Sequence, residues 1–374
     1  MKTTVMSAEK VEQALAIKDL TDPKNSIHAI NLLIERIRTR LSQKEGWPPV
    51  DLRRSTSPIS SVANDFDRLY FPIDSPSRSS VFTRYIDETK MLRTHTTAMI
   101  PDLLVEMKQN GLTDYSVLCP GICYRRDVTD KRHTGEPHQM DIWRIKKGEP
   151  RLQRPALIDL IETVVEVVAP GAKYRANEVT HPYTVNGLEV EILVAGEWIE
   201  LLECGEAHPR LLADCGLNPE EYSGLAMGIG LDRAVMLIKN IDDIRILRSE
   251  DPRIKKQMVN LDPYIPVSKY PAIKQDMSIT VSIDTIEEDI CETIRDVLGV
   301  NASVVEEVKI TSSTAYDELP PQAIERLGIK LGQKNLLISV ILRSHERSLC
   351  HEEANDIRDR LYRALHEGGK GYVL

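Results

Sequence analysis

Two arginines, Arg125 and Arg233, stand at the ends of strand-like runs in surroundings suited to handling phosphate. The first lies in Cys123-Tyr124-Arg125-Arg126-Asp127-Val128-Thr129-Asp130-Lys131-Arg132-His133-Thr134-Gly135-Glu136-Pro137-His138-Gln139. There a strand ends in two arginines and a carboxylate, crosses a polar loop and returns as a strand. A guanidinium is charged at any working pH, and its fork of donors matches phosphate oxygens bidentately. A solvated hairpin tip laced with ion pairs has the same composition. The second arginine closes Gly224-Leu225-Ala226-Met227-Gly228-Ile229-Gly230-Leu231-Asp232-Arg233. Glycines let a strand pass close to a ligand or to neighbouring backbone, and the first turn of a helix favours an anion. Close packing without any ligand explains such a run equally well. Cys119 and Cys123 are four apart, but no second Cys/His pair completes a tetrahedral zinc site, which leaves buried or strand-facing thiols.

Taken with their flanks, the two segments resemble motifs 2 and 3 of the class II aminoacyl-tRNA synthetases, specifically the phenylalanyl type. Tyr124-Arg125-Arg126-Asp127, with Thr129-Asp130, His133 and His138-Gln139, is similar to motif 2. Gly228-Ile229-Gly230-Leu231-Asp232-Arg233 and Asp242-Asp243-Ile244-Arg245 resemble motif 3 and its exit, and Leu92-Arg93-Thr94-His95-Thr96 the substrate segment before motif 2. Arg343-Ser344-His345-Glu346-Arg347-Ser348-Leu349 with Glu352-Glu353-Ala354-Asn355 looks like these enzymes' ferredoxin-fold anticodon-binding domain. The resemblance covers roughly residues 64–374 and implies a single-chain arrangement, as in organellar phenylalanyl enzymes.

The resemblance implies ATP as substrate and Mg2+ as cofactor. In it Arg125 holds the α-phosphate while a carboxylate attacks in line. Asp127 accepts from the adenine amino group or a neighbouring arginine, and His133 and Arg233 grip the outer phosphates. Glu200 falls where the family places a magnesium ligand, although an exposed residue of an amphipathic strand fits it as well. His95, Thr97, Gln139 and Asp141 surround the substrate's α-amino group, Asp141 standing where the family commonly has glutamate. A hydrogen-bonded core histidine is the plain alternative for His95.

The side-chain pocket departs from the family. The chain has three phenylalanines, Phe66, Phe71 and Phe82, all before the first motif. Where phenylalanyl enzymes wall the pocket with phenylalanine, this sequence has Thr180-His181-Pro182-Tyr183. Leu202-Glu203-Cys204-Gly205-Glu206 brings the Glu203 carboxylate near the pocket floor, where it must meet a cation or donor. Ala226 matches the small residue expected at the bottom. These changes argue for a substrate side chain more polar than phenylalanine. The competing reading stacks His181 and Tyr183 on phenylalanine and pairs Glu203 internally.

The elements that must position these residues follow from pattern. Residues 1–45 read as helical, with Ile27, Ile30, Leu32, Leu33, Ile34, Ile37 and Leu41 as an apolar stripe and Asp22-Pro23 as a helix start. Residues 46–80 read as long loops. Strand-like runs at Tyr115–Leu118, Gly121–Arg125, Gln139–Ile145, Leu188–Leu193, Trp198–Glu203 and Leu225–Gly230 return with few helices between them. Helices are expected over Pro101–Asn110, Arg154–Val168 and Leu231–Lys239. The fold class is therefore α+β, an antiparallel sheet flanked by helices. Residues 1–45 form an N-terminal helical segment, 46–260 the catalytic domain and 261–269 a linker. Residues 270–374, with β-α-β…β-α order, suit a ferredoxin-like α+β module.

At 374 residues, 41% hydrophobic and 28% charged, the composition is that of a globular protein. No membrane partner is expected, because no stretch approaches eighteen uninterrupted apolar residues, and the polar N-terminus reads as cytoplasmic. The net charge of −9 means that a polyanion binds only through a local basic patch. From Asp262 onward there are 13 Lys and Arg against 19 Asp and Glu, so the tRNA partner implied by the resemblance must meet Arg343, Arg347, Arg358, Arg360 and Arg363. Packing or dimerisation is the other use of that module, and a homodimer is compatible with the family. Three functions stay open: an aminoacyl-tRNA ligase, a ligase delivering its adenylate to a non-tRNA acceptor, and a catalytically silent paralogue. The retained phosphate-handling residues oppose silence.

Overall fold

The computed structural model describes residues 4–25, 27–126, 128, 130–267 and 270–369. The chain divides into two compact units. One comprises Met1–Arg125, Glu136–Ile241 and Lys256–Tyr264; the other comprises Arg126–Gly135, Asp242–Lys255 and Ile265–Leu374.

The first unit contains α1 (Ala8–Leu15), α2 (Ala29–Ser42), β1 (Val50–Leu52), β2 (Ile59–Ser61), α3 (Val62–Asp65), β3 (Lys90–Leu92), α4 (Ile100–Gln109), β4 (Asp114–Ile122) and β5 (His138–Lys147). These are followed by α5 (Arg154–Val168), β6 (Tyr174–Glu178), β7 (Thr184–Val194), β8 (Glu197–Ala207), α6 (Pro209–Asp214), β9 (Tyr222–Gly230) and α7 (Leu231–Lys239). Seven strands form one sheet in the order β1-β4-β5-β9-β8-β7-β6. The expected antiparallel sheet is in fact mixed, because β1 runs parallel to β4 while every other pair is antiparallel. β1 lies in the stretch read as loop: three residues carry too little alternation to declare a strand.

Two further expectations are corrected. α2 begins at Ala29 rather than at Asp22-Pro23, because His28 and Asn31 cap each other's backbone N–H groups there. Asp22 instead accepts from the Lys24 N–H at 3.0 Å. The two runs flanking Pro120 are one strand. The Leu118 carbonyl faces β1, accepting from the Arg53 N–H at 2.9 Å, so two residues on, Pro120 points past the end of β1, where no ladder donor is lost.

Register sorts the central strands into two faces. Gln139, Asp141 and Trp143 of β5 stand opposite Gly230, Gly228 and Ala226 of β9, and Glu203 and Gly205 of β8 stand opposite Gly228 and Ala226. Directly paired residues share a face. The other face carries Met140, Ile142, Leu202, Leu225, Met227 and Ile229, each at most 1% exposed. It is covered by α2, α5 and α7, which pack on one another. The apolar stripe of α2 supplies Ile30, Leu33, Ile34, Ile37 and Leu41, all wholly buried. Over the first face, α4 and α6 close one end, joining Leu104, Met107, Leu211 and Leu212 to Trp143 and Ala226 in a single apolar cluster.

The second unit contains α8 (Pro252–Lys255), β10 (Ile273–Ser282), α9 (Glu287–Leu298), β11 (Val305–Ala315), α10 (Pro321–Leu327), β12 (Gln333–Leu342) and α11 (His351–Leu365). Its three strands run β10-β12-β11 with both pairs antiparallel. Ile290, Ile294, Ile338, Val340 and Leu361 lie at the centre of its core. The whole chain is thus α+β.

Candidate active site

Gly228 and Gly230 lie on the first face of the sheet with open space where a side chain would stand, nothing falling within 4 Å of an added Cβ at either. Gly224, two turns of alternation earlier, is a packing glycine: a Cβ there would lie 2.3 Å from Ile145 Cδ1. The glycine run thus divides into a packed end at Gly224 and an open end at Gly228 and Gly230.

On the same face as the open glycines is a cluster of rings. Tyr183 stacks with His181 at 5.9 Å between centroids, and Trp143 and Phe71 stand 6.4 and 6.2 Å from it. Phe71 in turn stacks on His95 at 5.5 Å and meets Phe66 edge-on at 5.5 Å. Ala226, 2% exposed, lies in the same cluster as Trp143, with Tyr183 and Phe71 packed against it. Glu203 meets a donor within the protein: its Oε2 is 3.1 Å from His181 Nε2, while His181 Nδ1 is 3.1 Å from Thr184 Oγ1. The hydrogen bond from His181, opposed by burial, holds the Glu203 carboxyl below its ordinary range.

Asp141 is buried behind the rings. Its Oδ2 accepts from Thr96 Oγ1 at 2.6 Å and Thr97 Oγ1 at 3.1 Å, and its Oδ1 accepts from Trp143 Nε1 at 3.0 Å. Burial raises its pKa against the pull of these donors. His95 Nε2 is 3.7 Å from Asp65 Oδ1, and among the described residues neither ring nitrogen has a partner at hydrogen-bond distance. Burial lowers the His95 pKa, while Asp65 and Asp141 act to raise it. Gln139, at the start of β5, has its Oε1 3.5 Å from Cys123 Sγ.

Both arginines are partly exposed. Arg125 Nε donates to the Thr94 carbonyl at 3.0 Å, and its own carbonyl accepts from Arg84 Nη2 at 2.9 Å. Its charge acts on His95, Tyr183 and Glu203. Arg233, in the first turn of α7, donates through Nη1 to the carbonyl and Oε2 of Glu200, both at 3.0 Å. A β-bulge sets this pair. Val190 stands opposite Leu202 and Glu191 opposite Glu200, leaving Leu201 as the extra residue. The bulge reverses the alternation, so Glu200 joins Glu203 on the first face instead of the helix-covered one.

The remaining sequence-derived residues fall elsewhere. His133 belongs to the second unit, where its Nδ1 is 2.7 Å from Asp130 Oδ2 and its N–H donates to Asp130 Oδ1 at 2.8 Å. Asp127 and Thr129 lie outside the described residues. Among the described residues, no group of three or more His, Cys, Asp and Glu is placed to hold a metal ion. Glu200 offers one hard oxygen donor, which suits a cation held mainly by phosphate and water. Phe66, Phe71, Asp65 and Trp143 were not legible as site residues. Thr96, which holds Asp141, is the last residue of the Leu92–Thr96 segment, so the resemblance carried a local signal for it.

Comparison with known proteins places this arrangement. Residues 15–258 match the tRNA synthetases class II core domain (F). The mitochondrial phenylalanine–tRNA ligase of Saccharomyces cerevisiae is 25% identical over an alignment covering 96% of this chain and 90% of that protein. The chloroplastic/mitochondrial phenylalanine–tRNA ligase of Arabidopsis thaliana is 30% identical, covering 82% of this chain and 68% of that one. A solved pyrrolysyl-tRNA synthetase from Desulfitobacterium hafniense aligns with TM-score 0.48 and 17% identity over 64% of this chain and 78% of its own. The chain belongs to the class II aminoacyl-tRNA synthetases and, among them, to the phenylalanine–tRNA ligase family. It is accordingly an ATP-dependent ligase of protein biosynthesis.

Proposed function

We propose that this enzyme adenylates phenylalanine and transfers it to tRNA. The observation that carries the choice of amino acid is the 3.1 Å contact between His181 and Glu203. The polar groups that would call for a polar substrate satisfy each other, and Phe71, Tyr183, Trp143 and Ala226 are left to receive a ring. Aromatic side chains favour offset or edge-on partners of this kind. Asp141, with Thr97, Gln139 and His95, receives the α-ammonium, so that an anion behind the rings is matched by a cation from the substrate.

ATP lies over Gly228 and Gly230. Arg125 neutralises charge developing on the α-phosphate as the phenylalanine carboxylate attacks, and pyrophosphate departs in line. Arg233 takes the outer phosphates. With Arg233 engaged by phosphate, Glu200 is the residue that would hold magnesium, which would supply charge neutralisation to the phosphates. Residues 270–374 serve as a ferredoxin-fold anticodon-binding domain, with residues 46–260 as the catalytic domain, 261–269 as the linker and 1–45 as the N-terminal helical segment. Homodimerisation and cytoplasmic residence belong to the same proposal, tested by sedimentation and by fractionation.

Amino-acid-dependent pyrophosphate exchange, followed by charging of total tRNA, tests the reading. Phenylalanine should support the fastest exchange. A faster polar amino acid would overturn the substrate assignment, and exchange without charging would transfer the enzyme to a non-tRNA acceptor.

A further inference from the structure

His138, the first residue of β5, is wholly buried, and the reaction scheme gives it no work. Its Nδ1 lies 2.9 Å from Asp232 Oδ1, and its backbone N–H donates to Asp232 Oδ2. Its Nε2 accepts the Leu20 N–H at 3.1 Å. An amide N–H only donates, so Nε2 is the bare nitrogen and Nδ1 carries the proton toward the carboxylate. Asp232 is 4% exposed and immediately precedes Arg233, just as His138 immediately precedes Gln139.

One buried pair therefore ties the strand that carries Gln139 to the helix turn that carries Arg233. A third link reaches the N-terminal segment, which is itself fastened: the Leu20 carbonyl accepts from Asn31 Nδ2 at 2.7 Å, and the Ala14 carbonyl from Tyr124 OH at 3.0 Å. Gln139 is also held by the ladders to Gly121 and Gly230. Arg233 sits past the end of its strand, so Asp232 is the neighbouring residue whose side chain anchors that turn to the sheet.

We propose that His138 and Asp232 are positioning residues that fix the direction of Arg233, with the Leu20 segment as the outer part of the same frame. This rests on the assignment of Arg233 to the ATP phosphates. Misplacing such a group by about 1 Å is enough to cost a large factor in rate or binding, whereas a purely structural pair changes how much protein folds and not how the folded enzyme binds.

The test is pyrophosphate exchange by the full-length chain, normalised to active sites by the adenylate burst. His138→Ala should raise the KM for ATP about tenfold and move the amino-acid KM by less than about threefold. His138→Gln, whose amide can donate to Asp232 and accept from Leu20, should return the ATP KM to within about threefold of wild type. A lowered Tm with an unaltered ATP KM in His138→Ala overturns the inference. If that variant does not fold, Asp232→Asn, which keeps one acceptor for two donors, is read the same way. Arg233→Ala separates the two claims. Should it leave the ATP KM unchanged, the ATP assignment fails; should it raise that KM while His138→Ala does not, only the present inference fails.

Discussion

At the scale of single residues, Arg125 and His95 make the sharpest demands. Arg125 is aimed by the Thr94 carbonyl and backed by Arg84, a geometry a shorter or differently shaped cation does not reproduce. Arg125→Ala should lower kcat for pyrophosphate exchange by roughly 10²–10³, with Arg125→Lys recovering little of it. A change within about threefold would remove Arg125 from the transition state. His95 carries a pH signature. Burial holds its pKa below the unfolded value despite the nearby carboxylates, so the unfolded chain takes up a proton on acidification before the folded chain does. Stability is therefore lost as pH falls through about 6.5. Between roughly pH 7.5 and 5.5 the Tm of wild type should drop more than that of His95→Gln. Parallel curves would show that His95 titrates normally in the fold.

At the scale of elements, the strand β9 separates two kinds of glycine. Gly228→Val places a β-branched residue in a strand with open space above it, and should leave Tm within a few degrees while abolishing adenylate formation. Gly224→Val drives atoms into Ile145, an overpacking that costs about 1–3 kcal/mol or more. Loss of folding in the first, or full activity in it, would contradict the placement of ATP over that strand. The helices α5 and α7 were legible to the residue, because their apolar positions recur at helical spacing and nothing else competes. Phe66 and Phe71 were not, since they reach the ring cluster from a stretch without periodicity far from His181 in sequence. Nor was the Leu201 bulge, which sets Glu200: an extra residue in a strand leaves no mark on composition. The need of Glu203 for a donor was legible, but its partner His181 lies across a hairpin and is fixed only by register.

At the scale of the whole molecule, charge governs the larger partner. With a net charge of −9, the chain attracts tRNA only through local basic surface, and such contacts release counterions. The KM for tRNA in charging should rise by about tenfold or more between roughly 50 and 200 mM salt. Pyrophosphate exchange, which needs no tRNA, should change far less. A salt-independent tRNA KM would show that recognition does not run through phosphates. What was legible at this scale was the α+β class and the main strands of the sheet, while β6 at its edge and the short α6 and α10 were not. The parallel β1 was not, because three residues at a sheet edge are specified by the strand they join.

The sheet that carries the site is sealed on its other side by side chains with almost no exposure, clamped under α2, α5 and α7. Such a plate has no locally weak layer through which the site could loosen ahead of the remainder of the first unit. Heat should accordingly remove adenylating capacity and the near-ultraviolet signature of Trp143 together, over one transition, so that an inactive but still packed catalytic unit never accumulates.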